Sequence, residues 1–184
     1  MRKVIVLIIL LFALNSFGQE TQNSGVIDFE KKISKVNNTE LLLLSNKMYD
    51  SQAETTKTII ILKECIKRNL DKGNSMYRLG VSYIENGETE NGINALERAI
   101  QINPNNFKAY FNIGAVCYDT QQFRKSVKYY EKALKIEPKN DACYYGIALS
   151  EFVLNEKNTS KENCEMALKL NPNNQNAKIL LQKY

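Results

Sequence analysis

Cys65, Cys117, Cys143 and Cys164 are the residues of this chain best suited to covalent or metal chemistry. A dithiol redox pair needs two cysteines within one turn, and a zinc site needs clustered cysteine or histidine ligands. These four stand far apart and form neither C-x-x-C nor a zinc-ligand spacing. The sequence has no histidine, which removes the commonest general base, the commonest zinc ligand and any Ser–His or Cys–His nucleophile. Its acidic residues are dispersed and suggest no paired carboxylates. No glycine-rich phosphate loop follows a strand pattern. Catalysis, cofactors and metals are therefore not expected. What remains is binding by apolar and aromatic side chains set at regular intervals.

That regularity is densest in residues 107–140, FKAYFNIGAVCYDTQQFRKSVKYYEKALKIEPKN. Apolar or small residues fall at Tyr110, Ile113, Gly114, Cys117, Phe123, Ser126, Tyr130 and Ala133. Within each half the steps are three and four residues, the spacing of one helical face. Pro138 then stops the second half, since it lacks an N–H and disfavours helical geometry in the residue before it. Residues 73–106 carry Met76, Leu79, Gly80, Tyr83, Thr89, Gly92, Leu96, Ala99 and Pro104 at the same places. Residues 141–174 carry Tyr144, Ile147, Ala148, Glu151, Lys157, Ser160, Cys164, Ala167 and Pro172. The only three prolines, Pro104, Pro138 and Pro172, lie thirty-four residues apart.

These three gapless copies resemble the tetratricopeptide repeat family, whose unit is a thirty-four-residue helix–turn–helix. The resemblance implies an all-α fold, a right-handed α-solenoid of such repeats closed by a C-terminal capping helix. Gly80, Gly114 and Ala148 on the first helices should then face Gly92, Ser126 and Ser160 on the second, because close helix approach needs small side chains. Gly87, Gln121 and Asn155 should take left-handed turn positions. Met76, Tyr110 and Tyr144 stand where the family carries tryptophan, and Glu151 and Lys157 where it prefers aromatics.

The rest of the chain is divided accordingly. Arg2 and Lys3, the apolar run Val4 to Leu14 and the small residues Ser16 and Gly18 describe a secretory signal over residues 1–18, cut near Gly18. The run is shorter than the roughly 20 apolar residues of a membrane span, so the product is expected not to span a membrane after cleavage. Removing the signal takes away two cations and no acid, so the net charge falls from +5 to +3. That mild balance does not suggest nucleic acid. Lys125, Lys128, Lys132 and Lys135 read as a solvated outer face. Residues 19–38 read as a flexible leader with at most one short helix. Residues 39–72 read as a degenerate copy, with Leu42, Tyr49, Thr58, Leu62 and Cys65 at core positions and Ser51 and Glu54 as a capping box. Residues 175–184 read as the capping helix. Export would permit disulfides, but Cys65, Cys117 and Cys164 fall at core positions, where a small buried hydrophobe suffices.

Function then rests on a surface. In the family, the first helix of each copy lines a concave groove. The resemblance assigns Tyr77, Val81 and Ile84, then Phe111, Ala115 and Tyr118, then Tyr145, Leu149 and Phe152 to it. Polar groove positions are Asn74, Arg78 and Glu85, then Lys108, Asn112 and Asp119; in the third copy they become Ala142, Gly146 and Val153. Aromatics there also brace neighbouring copies, and that alternative stays open; Leu149 is expected to have the least structural duty. Family members that clamp a C-terminal carboxylate need lysine, asparagine and arginine where this chain has Tyr77, Val81, Asn112, Ala142 and Gly146, and only Asn112 fits. The expectation is a non-catalytic scaffold, exported to a bacterial envelope or secreted, that binds a protein or peptide partner. The alternatives are a structural subunit of an envelope assembly that uses its outer helices, and an enzyme accessory.

Overall fold

A computed structural model describes residues 22–51 and 54–184. The signal segment and its cleavage point lie outside the described residues. Ten helices and no strand occur among the described residues. They are α1 (Gln22–Ile33), α2 (Asn38–Ser51), α3 (Thr55–Lys67), α4 (Lys72–Glu85), α5 (Thr89–Ile102), α6 (Phe107–Asp119), α7 (Phe123–Ile136), α8 (Asp141–Val153), α9 (Lys157–Leu170) and α10 (Gln175–Leu181). Each packs on the next from α2 onward, so the chain is an all-α solenoid of helix pairs. The second helices begin at Thr55, Thr89, Phe123 and Lys157, steps of thirty-four residues that include the degenerate pair.

The boundaries have local causes. Asn106, Asn140 and Asn174 cap α6, α8 and α10, their side-chain oxygens accepting from the N–H groups of Ala109, Cys143 and Ala177. Between the helices of each clear copy, the left-handed residue is Gly87 (φ 81°), Gln121 (φ 60°) or Asn155 (φ 61°). The next residue's N–H reaches back to Tyr83, Cys117 or Glu151 at 2.7–2.9 Å, which satisfies a carbonyl the helix end leaves orphaned. The degenerate copy lacks the proline and stops α3 in the same manner: Asn69 takes φ 59° and Leu70 N–H bonds the Cys65 carbonyl at 2.8 Å.

The small residues meet as their positions require. A Cβ on Gly80 would lie 3.0 Å from the Gly92 carbonyl, and one on Gly92 would lie 2.9 Å from that of Gly80. In the next two copies a buried hydroxyl fills the crossing. Ser126 Oγ donates to the Gly114 carbonyl at 2.8 Å, and Ser160 Oγ to that of Ala148 at 2.6 Å. Ala99, Ala133 and Ala167 are wholly buried at the corresponding places on the second helices. Lys125, Lys128, Lys132 and Lys135 are exposed along α7.

The leader carries the one short helix its sequence allowed, and one local reading is corrected. Residues 22–33 of the leader form helix α1, because Phe29 and Ile33 bury against Leu41, Leu44, Met48, Ile61 and Cys65. Arg68 holds this helix by its C-terminal end: its Nη1 and Nη2 donate to the carbonyls of Val36 (2.5 Å), Ser34 (2.8 Å) and Ile33 (3.3 Å), while its Nε pairs with Glu64 at 2.7 Å. The Ser51–Glu54 capping box does not form. Ser51 Oγ turns back to the Met48 carbonyl of its own helix, and Glu54 takes a left-handed conformation without a side-chain cap.

Candidate functional site

The first helices form one continuous face. α6 packs on α8 and α8 on α10, and Asn112 of α6 reaches Tyr77 of α4, its Nδ2 donating to the Tyr77 hydroxyl at 3.3 Å. All nine apolar and amide residues assigned to the groove, Tyr77, Val81, Ile84, Phe111, Asn112, Tyr118, Tyr145, Leu149 and Phe152, sit on α4, α6 and α8 and are half-buried. Each side chain thus gives one side to the packing and keeps another accessible.

The packing side binds each copy to its neighbours. Tyr77, Val81 and Ile84 lie against Leu96, Ala109, Ile113 and Cys117. Phe111 packs with Tyr130, Cys143 and Ile147, its ring meeting Tyr130 edge-on at 5.4 Å. The Tyr118 ring meets Phe123 of its own copy, also at 5.4 Å. Tyr145, Leu149 and Phe152 join Ala148, Cys164, Leu180 and Leu181.

That last group changes the expected part of Leu149. α10 stands where a further first helix would stand, and its leucines need apolar cover, so Leu149 is a packing residue as well as a surface one. Phe152 is engaged further: Tyr184 meets its ring edge-on at 5.7 Å, and Lys183 Nζ lies 5.7 Å from its centroid. Gly146 does not line the face at all. It is buried beneath the Tyr130 ring, where a Cβ would come within 2.5 Å of ring carbon. Val153, by contrast, is 47% exposed.

The N-terminal half of the face is polar and linked across three first helices. Arg78 of α4 hydrogen-bonds the Asn46 side-chain oxygen of α2 and lies 5.1 Å from the centroid of Tyr49. Burial, with the Tyr77 hydroxyl beside it, pushes the Tyr49 phenol well above its ordinary range. Sequence reasoning placed Arg78 on this face but missed Asn46 and Tyr49 as its partners.

Covalent chemistry finds little purchase. All four cysteines are free thiols and wholly buried. Burial pushes Cys143 up to about 12 and Cys164 up to about 11, so neither supplies a thiolate near neutral pH. No group of three or more potential metal ligands occurs among the described residues. No described helix is long and apolar enough to cross a membrane.

A stack of helix pairs with one face built from the first helices defines a helical-repeat solenoid. Residues 107–140 match the tetratricopeptide repeat family, and residues 80–121 match TPR repeat. Residues 80–140 are thus similar to tetratricopeptide repeats. A crystal structure of MamA is similar at 24% identity, covering 88% of this chain and 91% of that one, with a TM-score of 0.68. MamA from Desulfovibrio magneticus RS-1 is similar at 17% identity over 78% and 81%, with a TM-score of 0.72. The first TPR of Spaghetti (RPAP3), bound to the HSP90 peptide SRMEEVD, is 20% identical over 61% and 90%, with a TM-score of 0.59. No curated protein matches the chain in sequence.

Proposed function

We propose that the chain is a non-catalytic protein–protein interaction scaffold that takes a peptide or helical segment along the face of α4, α6 and α8. The observation that carries this reading is the unbroken row of half-buried apolar side chains from Tyr77 to Phe152, with the Asn112 amide and the Arg78 guanidinium set among them. Apolar side chains supply burial and oriented donors fix the register of a bound backbone. RPAP3, which shares the fold, binds its HSP90 peptide on such repeats. The terminal-carboxylate clamp is not the mode here, because Tyr77, Val81, Ala142 and Gly146 supply none of its cations.

The protein is further proposed to act in a bacterial envelope or outside the cell, after cleavage near Gly18. The support is the basic, apolar and small-residue order of residues 1–18. A second reading, a structural subunit docking through its outer helices, is favoured by the packing duty that Phe111, Tyr145 and Leu149 already carry.

Site-specific photo-crosslinking in the native cells separates the two. A crosslinker at Val81 or Ala115 should trap a partner, and one at Lys128 on α7 should not. Crosslinks from Lys128 alone would favour the outer-helix reading and refute the groove.

A further inference from the structure

Arg68 and Arg78 are both half-buried, and their surroundings differ in kind. Arg68 is saturated: Nε, Nη1 and Nη2 all have protein acceptors, and Glu64 supplies a counter-charge. Arg78 meets Asn46 through Nη1 alone and rests on the Tyr49 ring. Among the described residues, no carboxylate lies within ion-pair distance of Arg78, and no protein acceptor meets its Nε or Nη2.

This leaves one edge of the guanidinium plane, Nε with Nη2, uncommitted. Two parallel N–H groups on that edge match the two oxygens of a carboxylate. Asn46 and Tyr49 already hold the plane in place, so less side-chain entropy is lost when an anion arrives. The other charged groups sharing this face are Glu85, further along α4, and Lys108 and Asp119, at the start and end of α6, all exposed. A lone oriented guanidinium fits one carboxylate; a nucleic-acid backbone requires a clustered basic surface. Val81 follows Arg78 by three residues, about 4.5 Å along the helix axis. An extended chain advances about 3.3 Å per residue, so the carboxylate and the first apolar anchor fall one or two residues apart.

We infer that Arg78 is the specificity-determining residue of the groove and selects a segment in which an aspartate or glutamate side chain stands one or two residues from an apolar residue. This rests on the groove reading above. It places the anion at a position distinct from the terminal-carboxylate clamp, and it needs an internal acidic side chain rather than a chain end.

The test is a selection of displayed random twelve-residue peptides on the purified chain, followed by fluorescence anisotropy with the enriched peptides. Enrichment of Asp or Glu next to an apolar residue is expected. Replacing that acid by its amide, or making Arg78→Gln, should each weaken binding at least about tenfold. The two changes together should cost little more than either alone. Arg78→Lys, which keeps the charge and loses the fork, should recover only part of the affinity, and circular dichroism should show all variants folded. Peptides that lose binding with Val81→Asp yet carry no acid and ignore Arg78→Gln would overturn this inference and leave the groove intact. If no enriched peptide responds to Val81→Asp, or none is enriched, the groove reading falls and this inference with it.

Discussion

The ring of Tyr130 lies directly on the backbone of Gly146, so that a Cβ there would sit 2.5 Å from Tyr130 Cε2. The same ring faces Gly114 on its other side, where a Cβ would lie 3.0 Å from Cδ1, and meets Phe111 edge-on. One aromatic side chain from α7 is thus held between α6 and α8, and it cannot turn aside.

Gly146→Ala should therefore destabilise the protein by about 1–3 kcal/mol, the usual cost of overpacking a filled core. Alanine in a helix interior is normally better than glycine by up to about 1 kcal/mol, so the sign of the change is diagnostic. Gly73→Ala is the control. A Cβ there meets only Ile102 Cγ2 at 3.4 Å, an ordinary contact, and the midpoint of urea unfolding should hold or rise. A neutral Gly146→Ala would show that the ring has room.

Ala133 is wholly buried in the cluster of Tyr130, Cys143 and Ile147. Ala133→Leu is expected to cost about 1–3 kcal/mol by the same mechanism. Lys128→Leu, on the exposed side of the same helix, should change stability by no more than about 0.5 kcal/mol. Coincident urea midpoints for the two variants would contradict the assignment of faces on α7.

Glu151 is buried, and desolvation holds its carboxyl above the ordinary range; Glu156 and Glu131 push in the same direction, while the hydrogen bond from Asn163 opposes them. The folded state thus binds this proton more tightly than the unfolded chain does. Its stabilising contribution is complete below the ordinary carboxylate range and is lost as pH rises through the raised value. Glu151→Gln keeps an oxygen for Asn163, whose Nδ2 now donates to Glu151 Oε2 at 2.9 Å. The variant should be more stable than the parent at neutral pH, with the difference shrinking as the pH is lowered. Urea unfolding across a pH series reads both, and a difference that grows on acidification would refute the assignment.

Arg68→Met should release α1 without disturbing the clear copies. It removes the donors that satisfy the carbonyls of Ile33, Ser34 and Val36, leaving Phe29 and Ile33 as the main apolar hold. Hydrogen exchange should accelerate across residues 22–36 and stay unchanged across residues 107–170. Unchanged protection of α1 would mean that its apolar contacts suffice.

Leu149→Glu now carries a structural expectation. Introducing a carboxylate beside Ala148, Cys164 and Leu180 should loosen α10 and cost stability, with faster exchange in residues 175–184 as the local signature. Intact protection of α10 would return Leu149 to the accessible face alone.

What the sequence made legible follows from what depends on local order. Pro104, Pro138 and Pro172 mark helix ends by their own chemistry, and Gly80 with Gly92, or Gly114 with Ser126, can be paired because twelve residues of helix and turn always bring them together. Gln121 was readable as a left-handed residue only through its register with Gly87 and Asn155. The leader helix was less legible because its anchor, Arg68, stands more than thirty residues away and acts on backbone carbonyls, which carry no side-chain pattern. Gly146 was misplaced on the face because its neighbour Tyr130 belongs to the preceding copy, and the size of that ring decides what α8 can tolerate. The partnership of Asn46 and Tyr49 with Arg78 escaped notice for the same reason: it exists only against the next helix pair.

Tyr184 follows Ser150 by thirty-four residues and meets Ser160 as Ser150 meets Ser126. The residues just beyond α10 thus offer the final copy the seam that an internal copy offers its predecessor. Duplication of one thirty-four-residue unit within residues 107–174 would lengthen the array without inventing a new kind of joint. Each added unit would extend the face of first helices by one helix. Evolution can therefore alter the reach of such a protein by copying a module, and refine its choice of ligand afterwards by point substitution.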